Sequence, residues 1–438
     1  MDKPIKKING TQMKGKTVFH TNTSDSIESR VEDDKYKYGD IYYAYDGYQR
    51  IVMIGSFAAA KKYLSGYSTT IRKYDYIGYV FQKLFRDCIG ANHGATWLAM
   101  KKPLNIFFNR AALEKTFPIL ISHVQCWINS NVVCDKPIAL NSLGFDVLTL
   151  KIMSQIVYGG VNDALFNELV EIYQLHCKVM QIMGHDMILR LNINPTPNSR
   201  IVDSLRRRWI IFNTDVRKNM NEDSLFASMI KMEAYNSVKL VQTLYEIVLF
   251  NADIMTDAFV NVFTNICQSV DIMQRIRNEC ENINELVDYR QIDGLSFLTC
   301  VINESARLNP GIVQTFAETI TQPMDLGGFQ CPANTLISLD TQMLNRDPDV
   351  WTHPHEFNPD RFSGTDSKQF YQYHRFGLGP RMCLGNIYAD YILKSIVVLV
   401  LNKFDLTFVK RKSENTRISL PNMSGSNLDG NLIFGLRK

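Results

Sequence analysis

The stretch from Ser237 to Ser269, SVKLVQTLYEIVLFNADIMTDAFVNVFTNICQS, sets the tightest limit on what this chain can become. It contains neither proline nor glycine and is apolar around most of its circumference. A helix of that kind has no face to offer to water, so other helices must surround it. The chain supplies them, because from about residue 94 to 290 its pattern is overwhelmingly helical, with Pro195 and Pro197 in NINPTPNSR marking a loop. Asn251 and Asp253 fall in the middle of the buried stretch, where an amide and a carboxylate need partners, water or a function.

The two ends have a different texture. Residues 1–34 read as a mobile leader rich in Lys, Thr, Ser and Asp. YKYGDIYYAYDGYQRIVMIG reads as two strands around Asp46-Gly47, and SFAAAKKYLSG as a short helix between an Ser56 cap and a Gly66 stop. After residue 310, short β-like runs are punctuated by Gly327-Gly328 and Pro332. Loop-rich sequence leads to one more helix over about 383–402 and a strand-like tail. The expected fold is mainly α with a minor β subdomain built from both ends of the chain, residues 35–438 forming a single domain behind the leader.

Composition excludes several classes. With 438 residues, 45% hydrophobic and 21% charged, the chain can bury a large core with room for a cofactor. Lys and Arg number 48 against 44 Asp and Glu, a net +4 that argues for no nucleic-acid partner. Nine cysteines, at 88, 126, 134, 177, 267, 280, 300, 331 and 383, are odd in number and form no C-x-x-C pair. Neither a disulfide framework nor a zinc knuckle is indicated, and a reducing compartment is expected. The polar N-terminus and the lack of an uninterrupted apolar run of about 20 residues lead to the expectation of no transmembrane segment or anchor.

The chemistry concentrates in Phe376-Gly-Leu-Gly379-Pro-Arg381-Met-Cys383-Leu-Gly385. A glycine-rich turn lets backbone approach something flat, then presents a cysteine at the start of a helix, where a thiolate is stabilised. Arg381 can meet an anionic group on the same ligand. A buried free cysteine is the plainer alternative. The segment resembles the cysteine-ligand loop of the cytochrome P-450 family, Phe-x-x-Gly-x-Arg-x-Cys-x-Gly, at Phe376, Gly379, Arg381, Cys383 and Gly385. Five such matches arise by chance on the order of once in ten thousand chains of this length.

Other segments agree with that resemblance in order and spacing. Glu304 and Arg307 match the family's Glu-x-x-Arg, and Asn358-Pro-Asp-Arg361-Phe its Pro-Glu-Arg-Phe, which implies a buried structural Glu304–Arg307–Arg361 cluster. Asp347, Pro348, Trp351, Pro354 and Phe357 follow the rhythm between them. Trp97 and Lys101, one helical turn apart, resemble the family's Trp-x-x-x-Arg/Lys and would both reach the haem propionates. The resemblance covers about residues 35–438.

The chain departs from the family in its central helix. The oxygen-activation groove, Ala/Gly-Gly-x-Asp/Glu-Thr, reads here Phe250-Asn251-Ala252-Asp253-Ile254-Met255-Thr256. Aligned on the acid, Asp253 fits and Ile254 replaces the alcohol; aligned on the alcohol, Thr256 fits and Met255 replaces the acid. The first register keeps the carboxylate a proton relay needs and is favoured, with Asp253 and Thr256 as the catalytic candidates. The arginine that many members place after the proline turn is missing from Thr315-Phe316-Ala317-Glu318-Thr319, which leaves Lys101, Arg381, His374 and Arg375 as propionate donors.

The resemblance implies a helix-rich triangular body around a buried haem b, iron protoporphyrin IX held by the Cys383 thiolate, with dioxygen as cosubstrate. It implies a monooxygenase fed with NAD(P)H electrons by a flavoprotein reductase or a ferredoxin, since the chain carries no dinucleotide fingerprint of its own. The pocket would include Phe250, Asn251, Ala252, Ile312, Val313, Gln314 and Phe316. The Asn-Ala-Asp groove is similar to that of fungal members acting on amino-acid-derived molecules such as dityrosine precursors and diketopiperazines, in secondary metabolism. A monomer is expected, cytoplasmic or peripheral at the endoplasmic reticulum. Two alternatives stay open: a haem-thiolate isomerase or dehydratase needing no external electrons, and a haem-free binding protein on the same fold.

Overall fold

In the computed structural model the apolar stretch forms one continuous helix, Ser237–Cys267. The structure describes residues 13–14, 37–46, 49–65, 71–73, 83–188, 199–283, 285–364, 373, 375–377, 379–410 and 430–437; the loop around Pro195 and Pro197 lies outside them, as does His374. The helices are α1 (Phe57–Ser65), α2 (Gly94–Leu104), α3 (Arg110–Asn131), α4 (Phe145–Tyr158), α5 (Asp163–Ile188) and α6 (Ser199–Lys218), followed by α7 (Leu225–Ile230) and the central α8 (Ser237–Cys267). After it come α9 (Val270–Cys280), α10 (Ser296–Leu308), the single turn α11 (Thr341–Leu344) and α12 (Asn386–Lys403).

By length and hydropathy α8 is the one described helix able to cross a membrane. Its surroundings show a core helix instead, since Leu244, Val248, Leu249, Ala252, Phe259 and Ile266 are fully buried. Helices α4, α10 and α12 pack against it. An aromatic stack ties α3, α4 and α8 together, with Phe145 ring centroids 4.8 Å from Trp127, 5.3 Å from Phe259 and 5.8 Å from Phe263. Within α8 the segment Glu246–Phe250 winds as a π-helix. The wider turn frees carbonyls, and Asn251 Nδ2 donates to two of them, Glu246 O at 3.1 Å and Ile247 O at 3.3 Å. The amide that sequence reasoning put in the pocket is therefore spent on the helix's own backbone.

The strands are β1 (Ile41–Asp46), β2 (Gln49–Ile54), β3 (Ile71–Lys73), β4 (Pro137–Ala139), β5 (Glu318–Ile320), β6 (Met324–Leu326), β7 (Phe329–Cys331), β8 (Leu336–Leu339), β9 (Phe404–Lys410) and β10 (Gly430–Leu436). A five-stranded sheet runs β1-β2-β8-β5-β3, with β2 parallel to β8 in the register Ile51↔Leu336, so that the two ends of the chain meet in it. Along β1 and β2 alternate residues enter two small cores, Ile41, Val52 and Ile54 on one side and Tyr42, Ala44, Ile51 and Met53 on the other. Met13 is buried in the first of these and the Lys14 carbonyl accepts from Tyr43 N–H at 3.1 Å. This piece of the leader therefore belongs to the folded body. Its polar composition hid that, because a single apolar side chain and one edge hydrogen bond leave no periodicity.

Candidate active site

Cys383 sits in the connection between the turn Gly379–Arg381 and the first residue of α12, Asn386. Its N–H donates to the Phe376 carbonyl at 2.9 Å, closing a loop that Gly377 enters with φ +73°. Cys383 borders open space, yet protein surrounds its thiol closely enough to desolvate it. Burial pushes its pKa up, and the backbone N–H groups of Gly385 and Asn386 oppose that by favouring the thiolate. The Glu246 carboxylate on α8 lies near enough to push it further up. A thiol so placed is a donor waiting for a cation, which supplies the charge that burial withholds.

Beside it stand two cations and an indole. The Arg381 guanidinium lies 4.5 Å and Lys101 Nζ 4.9 Å from the Trp97 ring centroid. Arg381 Nη2 donates to the Asn92 carbonyl at 2.5 Å, and Lys101 Nζ donates to the Pro380 carbonyl. Arg381 Nη1 is buried with no partner. Burial and the repulsion of Arg381 hold the Lys101 pKa below its ordinary value. Among the described residues neither cation forms an ion pair. Two cations held together, one with an orphaned nitrogen, make a receptor for carboxylates, and the thiol close by is a soft metal ligand. The donor set fits a haem. Arg375, another propionate candidate, has Nη1 committed to Asp390 at 2.6 Å and Asn303 at 3.1 Å.

Behind the loop, Glu304 and Arg307 on α10 are fully buried. Arg307 donates to both Glu304 oxygens, at 2.7 and 2.9 Å, and to the carbonyls of Asn345 and Pro354 at 2.7 Å. Arg361 Nε adds a third bond to Glu304 at 2.9 Å, and Asn358 N–H a fourth at 2.9 Å. The cluster pins the segment 345–361 onto α10.

In α8 the residues Asp253 to Ala258 are all half-buried between the fully buried Ala252 and Phe259. Ile254 packs on the turn after α10, where a Cβ at Gly311 would stand 2.9 Å from Ile254 Cγ2. Phe250 meets Phe85 at 5.4 Å and Phe316 at 6.3 Å between centroids. Ile312, Val313, Gln314 and Phe316 are half-buried along the same turn. Ala252 is fully buried and offers no wall to a ligand. Thr256 Oγ1 is buried without a partner.

Asp253 faces α5. Tyr173 donates to its Oδ1, and His176 Nε2 lies 3.0 Å from its Oδ2. His176 Nδ1 in turn lies 2.6 Å from Tyr245 Oη. Neither His176 nor the two tyrosines stood out in the sequence. The only signal is polar side chains on the buried face of an amphipathic helix.

The segment that carries Asn92 is also latched to α8. Gln242 Oε1 accepts from Asp87 N–H at 2.6 Å, Thr243 Oγ1 from Ile89 N–H at 3.2 Å and Glu246 Oε2 from Gly90 N–H at 3.0 Å.

The cytochrome P450 family profile matches residues 16–428. The chain belongs to the cytochrome P-450 family. It is an oxidoreductase of the monooxygenase kind, and membership implies haem with cysteine-thiolate ligation and a redox partner. The cytochrome P-450 monooxygenase aclC of Aspergillus oryzae is 24% identical over 76% of this chain and 71% of its own. The monooxygenase gliC of Aspergillus fumigatus is 23% identical over 84% and 77%. The structure of retinoic-acid-bound cyanobacterial CYP120A1 superposes with a TM-score of 0.77 over 93% of this chain and 94% of that one, at 16% identity, which shows the shared P-450 fold.

Proposed function

We propose that this P-450 oxidises a small apolar or amino-acid-derived molecule, such as a cyclic dipeptide or a dityrosine-type precursor, in secondary metabolism. Electrons come from NAD(P)H through a separate flavoprotein reductase or ferredoxin, and the enzyme works as a monomer in the cytoplasm or at the endoplasmic reticulum surface. The observation that carries the reading is the grouping of Cys383 with Arg381, Lys101 and Trp97.

Cys383 Sγ would hold the iron, and Lys101 and Arg381 the propionates. Bound haem supplies the reductive activation of dioxygen. The chain's own side chains do the rest. The N–H groups of Gly385 and Asn386 favour the anionic sulfur against the burial that opposes it. Phe250, Phe316, Ile254 and Val313 present apolar surface that excludes water, and Gln314 is the amide among them able to orient a peptide-like substrate. Asp253, in the middle of α8, passes protons into the site. Thr256, three residues on, is the lesser candidate because its hydroxyl has no partner to pass a proton along.

The substrate class draws support from the aromatic wall, and the reaction type from the Aspergillus relatives named as monooxygenases. Incubation with a surrogate reductase, NAD(P)H and a panel of cyclic dipeptides tests it. The expected outcome is oxygen consumption with a product altered by oxidation. Conversion of substrate without NAD(P)H would replace this reading by an isomerase or dehydratase.

A further inference from the structure

The hydrogen bonds joining α5 to α8 at Asp253 have a direction. Tyr173 and His176 both reach the carboxylate, one at each oxygen, and Tyr245 reaches the far side of the His176 ring. An ionised carboxylate only accepts, so His176 Nε2 carries the hydrogen. In a neutral imidazole Nδ1 is then the acceptor, and Tyr245 must donate its O–H to it. Burial pushes the Tyr245 phenol well above its ordinary pKa, with the Asp253 charge adding to the effect, so it remains a donor. Every bond in the row therefore points the same way, from Tyr245 to His176 to Asp253. At its outer end Tyr245 borders a pocket of about 170 Å³ between α6 and the first turns of α8. The pocket reaches the surface at Ile210 and Val238, beside Lys83 and Arg206.

We propose that Tyr245 and His176 form a relay that reloads Asp253 with protons drawn from this pocket. They are positioning residues that act through Asp253, and the proposal rests on the reading of Asp253 as the proton donor of the active site. In one transfer the His176 Nε2–H bond breaks as Asp253 Oδ2 gains the proton. The Tyr245 O–H proton passes to Nδ1, and the phenol oxygen takes a proton from a hydronium ion in the pocket, which leaves as water. One proton has moved inward with no charge left behind on either ring; the imidazole, now carrying its hydrogen on Nδ1, returns to the Nε2–H tautomer by exchanging protons with water between turnovers. Tyr173 stays protonated, its pKa also pushed up by burial and then by Asp253, and holds the carboxylate in line.

His176→Gln and Tyr245→Phe test the relay in the haem-loaded enzyme, with Asp253→Asn as the reference. Glutamine bridges the same groups but does not transfer a proton, and phenylalanine removes a single hydroxyl. Both variants should load haem normally, lose about tenfold or more in product per NAD(P)H, and raise hydrogen peroxide correspondingly. His176→Gln combined with Asp253→Asn should be no worse than Asp253→Asn alone. A second readout needs no turnover. In 15N-histidine-labelled ferrous carbon-monoxide enzyme, His176 should appear as the Nε2–H tautomer, and Tyr245→Phe should shift its Nδ1 resonance. If Asp253→Asn uncouples while His176→Gln and Tyr245→Phe stay native, the relay is wrong and the Asp253 reading survives. Native coupling in Asp253→Asn removes both. The opposite tautomer, or an Nδ1 resonance blind to Tyr245, also overturns the relay.

Discussion

Arg307 grips Glu304 by two parallel hydrogen bonds, 2.7 and 2.9 Å long, with both side chains wholly out of water. Arg307→Ala would strand the carboxylate, and Glu304→Ala would strand Arg307 and loosen Arg361. Each should cost about 3–5 kcal/mol and yield protein that fails to retain haem. Thermal unfolding followed together with haem absorbance checks this. Fully loaded variants of native stability would show that the cluster does not hold the cysteine loop.

The cations around Trp97 make a pH-dependent prediction for haem-free protein. The pKa of Lys101 is held below the ordinary lysine value of 10.5 by burial and by Arg381. Below its folded value the ammonium is charged in both states, and the repulsion costs stability. Between that value and 10.5 the unfolded chain binds more protons, so stability should rise with pH. Lys101→Met should flatten that rise in urea titrations across the alkaline range. Haem should flatten it too in the native enzyme, because a propionate returns the pKa of Lys101 towards normal.

Asp253 and Thr256 should respond differently. Asp253→Asn should keep haem but divert electrons into hydrogen peroxide, since an amide does not reload with protons. Thr256→Val removes a buried hydroxyl that has no partner, so its unfolding free energy in urea titrations should equal or exceed that of the native protein, by up to about 1 kcal/mol, with smaller loss of coupling. Product per NAD(P)H in the two variants ranks them.

Asn251→Ala would leave the carbonyls of Glu246 and Ile247 short of the donor they now share. The expected cost is about 1–2 kcal/mol, read as a lower urea midpoint with haem retained. An unchanged midpoint would mean that water serves those carbonyls as well as the amide does.

These residues also show what a sequence discloses. The Glu304–Arg307 contact is legible because one helical turn separates its members, and the Cys383 loop because its glycines and arginine lie within a few positions. The π-turn at Glu246–Phe250 is invisible, since one extra residue in a turn barely disturbs an apolar pattern. Asn251 in place of the groove glycine becomes intelligible only once that turn exists. His176 is 77 residues from Asp253 along the chain, and nothing local marks a single histidine in a helix as the partner of a distant acid. The mainly α body with its small sheets was readable from periodicity, whereas the burial of Met13 depended on a sheet edge assembled from remote strands.

The absorption spectrum of the reduced enzyme under carbon monoxide tests the central claim most directly, for it reports which protein atom would hold the iron. Native protein should show the strongly red-shifted Soret band of thiolate ligation, and Cys383→His should lose it while still binding haem. An unshifted band in the native protein, or a red-shifted one surviving in Cys383→His, would contradict the assignment of Cys383 as the iron ligand.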